Sequence, residues 1–293
     1  MRLFVTGASG QLGRDVVRSG TASGDEVIAA DHRSLDINDR DAVLGALTSV
    51  RPDAVVNCAA WTAVDACESD PTAAFATNAA AVRWVAEGCH RVGAHLVHLS
   101  TDYVFDGTLD RPYHEWDTPA PGSVYGASKL GGEHEALELG ADAAVVRTSW
   151  VCGQHGSNIV TLVRRLAAER AGQVGGLAFV DDQRGCPSFT ADLGPMLRRV
   201  ALDRRSGVIH VTNQGAVTWY EFVVQILRVL GHDPALVRPI STADLDPPRA
   251  APRPANSVLD NAVLRAAGVP LLRDFRDGPL QELVNALDQQ AHS

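Results

Sequence analysis

Two groups of residues in this 293-residue chain could do chemistry together. The first is the loop Gly7-Ala8-Ser9-Gly10-Gln11-Leu12-Gly13, and the second is Ser100 and Thr101 with Tyr125 and Lys129. A tyrosine hydroxyl titrates near ~10 when unperturbed, too high for easy proton exchange at neutral pH. Lys129 stands four residues after Tyr125, on the same face of a helix, and its ammonium is expected to lower that value by favouring the phenolate. Tyr125 is then a candidate to give a proton to a carbonyl oxygen as hydride arrives at carbon, with Thr101 hydrogen-bonding the same oxygen. Taken alone, the Tyr125/Lys129 spacing also fits an exposed pair on a helix. With the glycine loop it points to carbonyl/alcohol redox chemistry.

The elements that must position these groups can be read from periodicity. Leu3-Phe4-Val5 precedes the glycine loop, and Leu12, Val16 and Val17 follow it on one helical face, so the loop joins a first strand to a first helix. Gly7 suits the tight turn, Gly10 the approach of a pyrophosphate, and Gly13 close packing of helix on sheet. Val27–Ala30, Ala54–Asn57, Leu96–Leu99 and Ala144–Arg147 are further short strands, each after a helical segment. The fold class is α/β: a doubly wound parallel Rossmann sheet with a smaller C-terminal substrate-binding domain. Residues 1–150 form the dinucleotide domain, joined by part of 190–230, and 151–293 the discontinuous substrate domain. Asp70-Pro71 opens a helix whose face runs through Ala74, Phe75, Asn78, Val82, Val85 and Cys89. The proline-rich stretch from Pro234 to Pro254 reads as loop or extended chain, and Leu280, Leu283, Val284 and Leu287 as a last helix.

Asp31 ends the second strand, about 20 residues past the loop, where a carboxylate grips the adenosine ribose and repels a 2′-phosphate. Arg33 favours that phosphate instead, so NADPH and NADH both remain open. Asp36-Ile37 is placed to reach the adenine or, equally, to cap the helix before Asp39-Arg40-Asp41.

Composition bounds the rest. Hydrophobic content is 45% with 21% charged residues, and no apolar run is long enough to span a membrane. Met1-Arg2 enters the first strand without a signal-peptide pattern, which makes the cytoplasm the default location. The net charge of −9 disfavours nucleic acid as a partner. Five cysteines without close pairs suggest free thiols, and the scattered histidines suggest no metal site.

Seven motifs, in order, carry a resemblance: Gly10 to Gly13; Val56 to Asp65; Ser100 to Gly107; Tyr125 to Lys129 with Glu133; Arg147 to Val151; Val180 to Gln183; and Arg253 to Leu259. The chain resembles the dTDP-4-dehydrorhamnose reductases, a branch of the extended short-chain dehydrogenase/reductases. The resemblance implies NADPH- or NADH-dependent reduction of the C4 ketone of dTDP-4-dehydro-6-deoxy-L-mannose to dTDP-L-rhamnose. It also implies cofactor contacts from Gly10, Gln11, Leu12, Asp31, Asp36, Ile37, Ala60, Trp61 and Thr62. Tyr125 would be the proton donor and Lys129 its partner. Thr101, Asp102 and Trp150 would face the sugar nucleotide, and Arg253 would bind the diphosphate or tether a loop.

Three positions depart from the family pattern. Cys152 replaces a tyrosine after Trp150-Val151, Cys186 and Ser188 alter the segment after Gln183, and Asp15 replaces the glutamate of a magnesium-bridged dimer. The first two are expected near the sugar and leave its identity open. The third leaves Mg2+ without support from the sequence, and a monomer or a homodimer both open. The 4,6-dehydratases of the superfamily carry a glutamate where this chain has Tyr103, which disfavours dehydration. Alternatives are a reductase of another dTDP-4-keto-6-deoxy sugar in an antibiotic pathway, and a non-catalytic regulatory subunit like that of methionine adenosyltransferase.

Overall fold

The structure, a computed structural model, describes residues 1–138, 142–170 and 172–291. Strand β1 (Arg2–Thr6) turns through the glycine loop into α1 (Gln11–Ala22), and β2 (Glu26–Ala30), α2 (Arg40–Val50) and β3 (Ala54–Asn57) continue the alternation. Helices α3 (Val64–Ser69) and α4 (Pro71–Phe75) precede a π-helical turn over Ala76–Ala80 and α5 (Ala81–Val92). Then come β4 (His95–Thr101), α6 (Val124–Glu138) and β5 (Ala143–Thr148). Beyond these lie β6 (Val151–Cys152), α7 (Ile159–Glu169), β7 (Leu177–Val180), β8 (Arg184–Gly185), β9 (Ser188–Phe189), α8 (Thr190–Leu202) and β10 (Gly207–His210). The chain ends with β11 (Val217–Thr218), α9 (Trp219–Val229), β12 (Val237–Ile240), α10 (Ala262–Ala266) and α11 (Pro279–Ala291).

Six strands pair in parallel in the order β10-β5-β4-β3-β1-β2. Every residue of β3 and β4 is buried, which is why these strands read as apolar runs without alternation. One face packs Val5, Val97 and Val146 against Val16 of α1 and Leu197 and Val200 of α8. The other packs Phe4, Val55 and Leu96 against Val43 of α2 and Val82 and Val85 of α5. Each such side chain contributes about 1.5–3 kcal/mol by leaving water. The strand order reverses between β1 and β3, so the loops after these two strands part and leave a crevice at their carboxyl ends.

A further core stands off the sheet, where Val160 and Val163 of α7, Phe222 and Ile226 of α9, and Leu283 and Leu287 of α11 meet. The proline-rich stretch is more ordered than its composition predicts. Val237–Ile240 forms β12 and pairs in parallel with β7, with Pro239 tolerated because this sheet has only two strands.

The helix expected from Asp70 through Cys89 starts as predicted, with the Asp70 carboxylate accepting the Ala73 N–H at 3.0 Å. Its single face does not continue. The π-turn adds a residue to one turn, which leaves Phe75 43% exposed and turns Asn78 inward. Here α6 presses on the turn: a Cβ on Gly132 would fall inside contact distance of the Asn78 carbonyl oxygen, and one on Gly126 would meet the Tyr103 carbonyl oxygen in the same way. Among the described residues no helix is long and apolar enough to cross a membrane.

Backbone contact of this kind leaves no room for a methyl group. Gly132→Ala is expected to lower unfolding free energy by about 1–3 kcal/mol, read as the urea midpoint. An unchanged midpoint would mean that α6 does not seat where described.

Candidate active site

A cavity of about 460 Å³ opens at the crevice, and it brings Gly7, Gly10, Gln11, Leu12 and Gly13 together with Thr101, Asp102, Tyr125, Lys129 and Trp150. A second cavity, of about 310 Å³, shares Gly7, Gly10 and Ala60 with the first and continues to Asp31, Asp36 and Ile37. Residues more than 100 positions apart meet because β1, β3, β4 and β5 end on the same side of the sheet.

Gly7 sits at φ +62°, and a Cβ there would strike the Cys58–Ala59 backbone, so the first turn needs glycine. Gly10 occupies the N-cap of α1 without a capping side chain, which leaves the first-turn N–H groups free of a side-chain acceptor. This is the cradle a diphosphate fits. At the far end, the Asp31 carboxylate accepts the Arg33 and Ser34 N–H groups at 3.0 and 3.2 Å, which hold it ionised below the usual carboxylate range. Asp36 braces Asn38, and the cap of α2 is Asp39, which accepts Ala42 N–H at 3.0 Å. Of the two readings of Asp36, the helix cap is therefore ruled out.

Tyr125, Lys129 and Glu133 are buried at one-turn intervals along α6. The Lys129 ammonium donates to the Leu99 carbonyl at 2.6 Å. Burial pushes it down to about 8, with the Glu133 charge opposing the shift. Lys129 is the only lysine in a chain that otherwise uses arginine. A buried ammonium can approach neutrality near physiological pH, whereas a guanidinium cannot. Glu133 accepts Arg147 through two bonds, Nε at 2.8 Å and Nη2 at 2.6 Å, and the Ser100 hydroxyl at 2.5 Å.

The expected lowering of Tyr125 by Lys129 is not what this geometry gives. Burial pushes the Tyr125 hydroxyl well above its ordinary value, and the neighbouring Thr101 only partly opposes this. Tyr125 is therefore a neutral phenol with a proton to give. Thr101 also donates to Asp102 at 3.0 Å.

Trp150 adopts φ +46°, a left-handed conformation that a bulky residue holds only when its surroundings fix it. Its indole stacks on Trp219 with centroids 3.5 Å apart, and a Cβ at position 185 would strike the same ring, so glycine leaves it room. Trp219 lines the cavity and is not among the residues singled out from the sequence.

Asn78 is a second residue that sequence reading left in a core stripe. Its side chain accepts the Trp61 N–H at 2.8 Å and donates to the Trp61 carbonyl and to Ser128, both at 3.0 Å. It thus ties the loop after β3 to α6. Three of the expected site residues lie outside both cavity linings: Arg33, Trp61 and Arg253. The Trp61 ring packs with Cys67, Ala74 and Tyr125. Arg253 holds Asp65 through Nη1 at 2.5 Å and Nη2 at 2.6 Å, which lowers the carboxyl to about 2. The tethering salt bridge is the alternative realised in this structure. Gln11 spends its side chain on Gly153 N–H, Asn158 and the Ser157 carbonyl, tying α1 to the start of α7.

The family model described as RmlD substrate binding domain matches residues 1–289. The dTDP-4-dehydrorhamnose reductase of Streptomyces griseus is 44% identical over 281 residues, 94% of this chain and 90% of that protein. The chain belongs to the dTDP-4-dehydrorhamnose reductase family. The probable dTDP-4,6-dihydroxy-2-methyloxan-3-one 4-ketoreductase of Streptomyces antibioticus is as similar, 44% identical over 94% of this chain and 92% of its own length. Among solved structures, the dTDP-4-dehydrorhamnose reductase of Bacillus anthracis in complex with NADP superposes with a TM-score of 0.90 and 35% identity, covering 97% of this chain and 98% of that one.

The departures from the family pattern sit differently from expectation. Cys152 faces a separate cavity beside Asp15, Arg18 and Arg273, not the one holding Tyr125. Cys186 is buried outside the first cavity's lining, and Ser188 is fully buried. Asp15 is buried and paired with Arg18 at 2.8 Å. Among the described residues no group of three or more His, Cys, Asp or Glu is arranged to hold a metal.

Proposed function

We propose that this chain reduces the C4 ketone of dTDP-4-dehydro-6-deoxy-L-mannose to dTDP-L-rhamnose, with NADPH or NADH as hydride donor. The observation that carries this is one cavity that joins an uncapped glycine-loop helix to Thr101, Tyr125 and Lys129. The glycine loop would hold the pyrophosphate, Asp31, Asp36 and Ile37 the adenosine, and Ala60 and Thr62 the middle of the cofactor. When bound, the nicotinamide supplies hydride to C4.

The chain's own residues do the rest. Thr101 and Tyr125 fix the ketone oxygen, and Tyr125 gives it the proton that balances the charge arriving with hydride. Lys129, one turn along, stabilises the phenolate left behind. Trp150 and Trp219 form an apolar wall that excludes water from the sugar face. Arg253 would reach the diphosphate by exchanging Asp65 for phosphate oxygens, a trade of one bidentate anion for another. In this scheme residues 1–150 and the returning β10 carry the cofactor, and the remainder of 151–293 covers the sugar nucleotide. The enzyme would act in the cytoplasm, as a monomer or homodimer.

A second reading is a reductase of another dTDP-4-keto-6-deoxy sugar. The equal identity to the ketoreductase of Streptomyces antibioticus favours keeping it, and the proton relay is the same for either sugar.

Tyr125→Phe is expected to cut turnover of the keto sugar by about 10²–10⁴-fold while NADPH binding, followed by fluorescence, persists. Retained turnover would remove Tyr125 as donor. For Arg253→Ala the KM of the sugar nucleotide should rise about tenfold or more, with the cofactor KM unchanged. Equal KM values in variant and parent would leave Arg253 as a tether alone.

A further inference from the structure

In the proposed reaction Trp150 walls the sugar face, and the segment that follows it is pinned from the cofactor side of the cavity. Three residues on, Gly153 is buried, and both of its backbone polar groups go to side chains. Gln11 Oε1 accepts the Gly153 N–H at 3.1 Å, and the Gly153 carbonyl accepts Asn158 Nδ2 at 2.8 Å. The same Asn158 amide donates to Gln11 Oε1 at 2.9 Å, which closes a ring of three hydrogen bonds. Gln11 Nε2 donates to the Ser157 carbonyl at 3.1 Å, so both polar atoms of this side chain are engaged there.

The ring has no slack. A Cβ on Gly153 would strike the Thr190 hydroxyl at the start of α8, and one on Gly156, itself at φ +77°, would lie 3.0 Å from Gln11 Cγ. Back toward Trp150, β6 pairs with β9, and the Trp150 carbonyl accepts the Ser188 N–H at 3.2 Å. Trp150 holds φ +46° between this pinned segment and its stack on Trp219. Gln11 is the first residue of α1, directly after Gly10 in the loop fitted to a diphosphate. The placement of that loop therefore reaches Trp150 through one side chain and three residues of backbone.

We propose that Gln11 and Asn158 are positioning residues of the sugar site, which set the Trp150 wall from the glycine loop. This deepens the reductase reading and rests on it. It reassigns Gln11, which the family resemblance gives to the cofactor: its backbone stays in the loop, and its amide serves the sugar. Asn158 has two separable tasks. Its Oδ1 caps α7 by accepting the Val160 and Thr161 N–H groups at 3.0 and 3.2 Å, and its Nδ2 makes the ring. An aspartate at 158 would keep the cap and lose the ring.

The test is steady-state kinetics of the parent, Gln11→Ala, Asn158→Asp and the double variant on the keto sugar and NADPH, with Tm by calorimetry. Each single variant strands a buried polar group of Gly153, so each should raise the KM of the sugar about tenfold while the cofactor KM stays at the parent's value. Because both residues act through one ring, the double variant should go no further than the larger single effect, whereas independent sites would multiply to about a hundredfold. A merely structural role would lower Tm and leave both KM values unmoved, and a cofactor contact would raise the cofactor KM of Gln11→Ala. Either result, or a hundredfold rise in the double variant, overturns the proposal. Should Gln11→Ala fail to fold, Asn158→Asp decides alone through the same KM split. No turnover by the parent on any dTDP-4-keto sugar would instead remove the reductase reading, and this inference with it.

Discussion

The seating of α6 against β4 is the constraint on which the rest of the site depends. Gly126 and Gly132 let the helix backbone touch the Tyr103 and Asn78 carbonyls, and no other residue type fits there. At that depth three side chains, one turn apart, come to the end of a single strand: Tyr125 lines the cavity with Thr101, Lys129 meets the Leu99 carbonyl, and Glu133 the Ser100 hydroxyl. The Glu133–Arg147 pair locks the register, because a slip would strand a buried charge at a cost of about 3–5 kcal/mol. Tyr125 is thereby set by backbone packing rather than by a mobile loop.

Burial also sets the chemistry. The same low-dielectric surroundings that push Tyr125 up bring Lys129 down to about 8 and raise Asp102 to about 6. A phenol kept neutral, an ammonium close to losing its charge and a carboxyl close to gaining one stand within one cavity. Displaced titrations gathered in one cavity mark a candidate site for acid–base chemistry.

Much of this was legible in the sequence where the signal is local. Strands buried on both faces, the turn from β1 into α1 and the Tyr125–Lys129 spacing are all short-range patterns. Contacts over long separations were not legible. Arg253 meets Asp65 across 188 positions, and nothing near Pro252 or Pro254 distinguishes a diphosphate ligand from a tether. Gln11, in the loop itself, turned out to bridge to Asn158. The π-turn escaped because apolar spacing from Ala74 to Cys89 fits a plain helix, and an asparagine pointing inward leaves the same pattern as one pointing out. The sign of the Tyr125 shift depends on burial, which spacing alone does not reveal.

The central claim is hydride delivery to C4 in this cavity. The most direct test is turnover of dTDP-4-dehydro-6-deoxy-L-mannose with NADPH deuterated at nicotinamide C4, on either face in separate runs, with the product read by NMR. The expected result is dTDP-L-rhamnose carrying deuterium at C4 from one of the two cofactors and none from the other. Unchanged sugar from both, or product with deuterium at any other carbon, would contradict it.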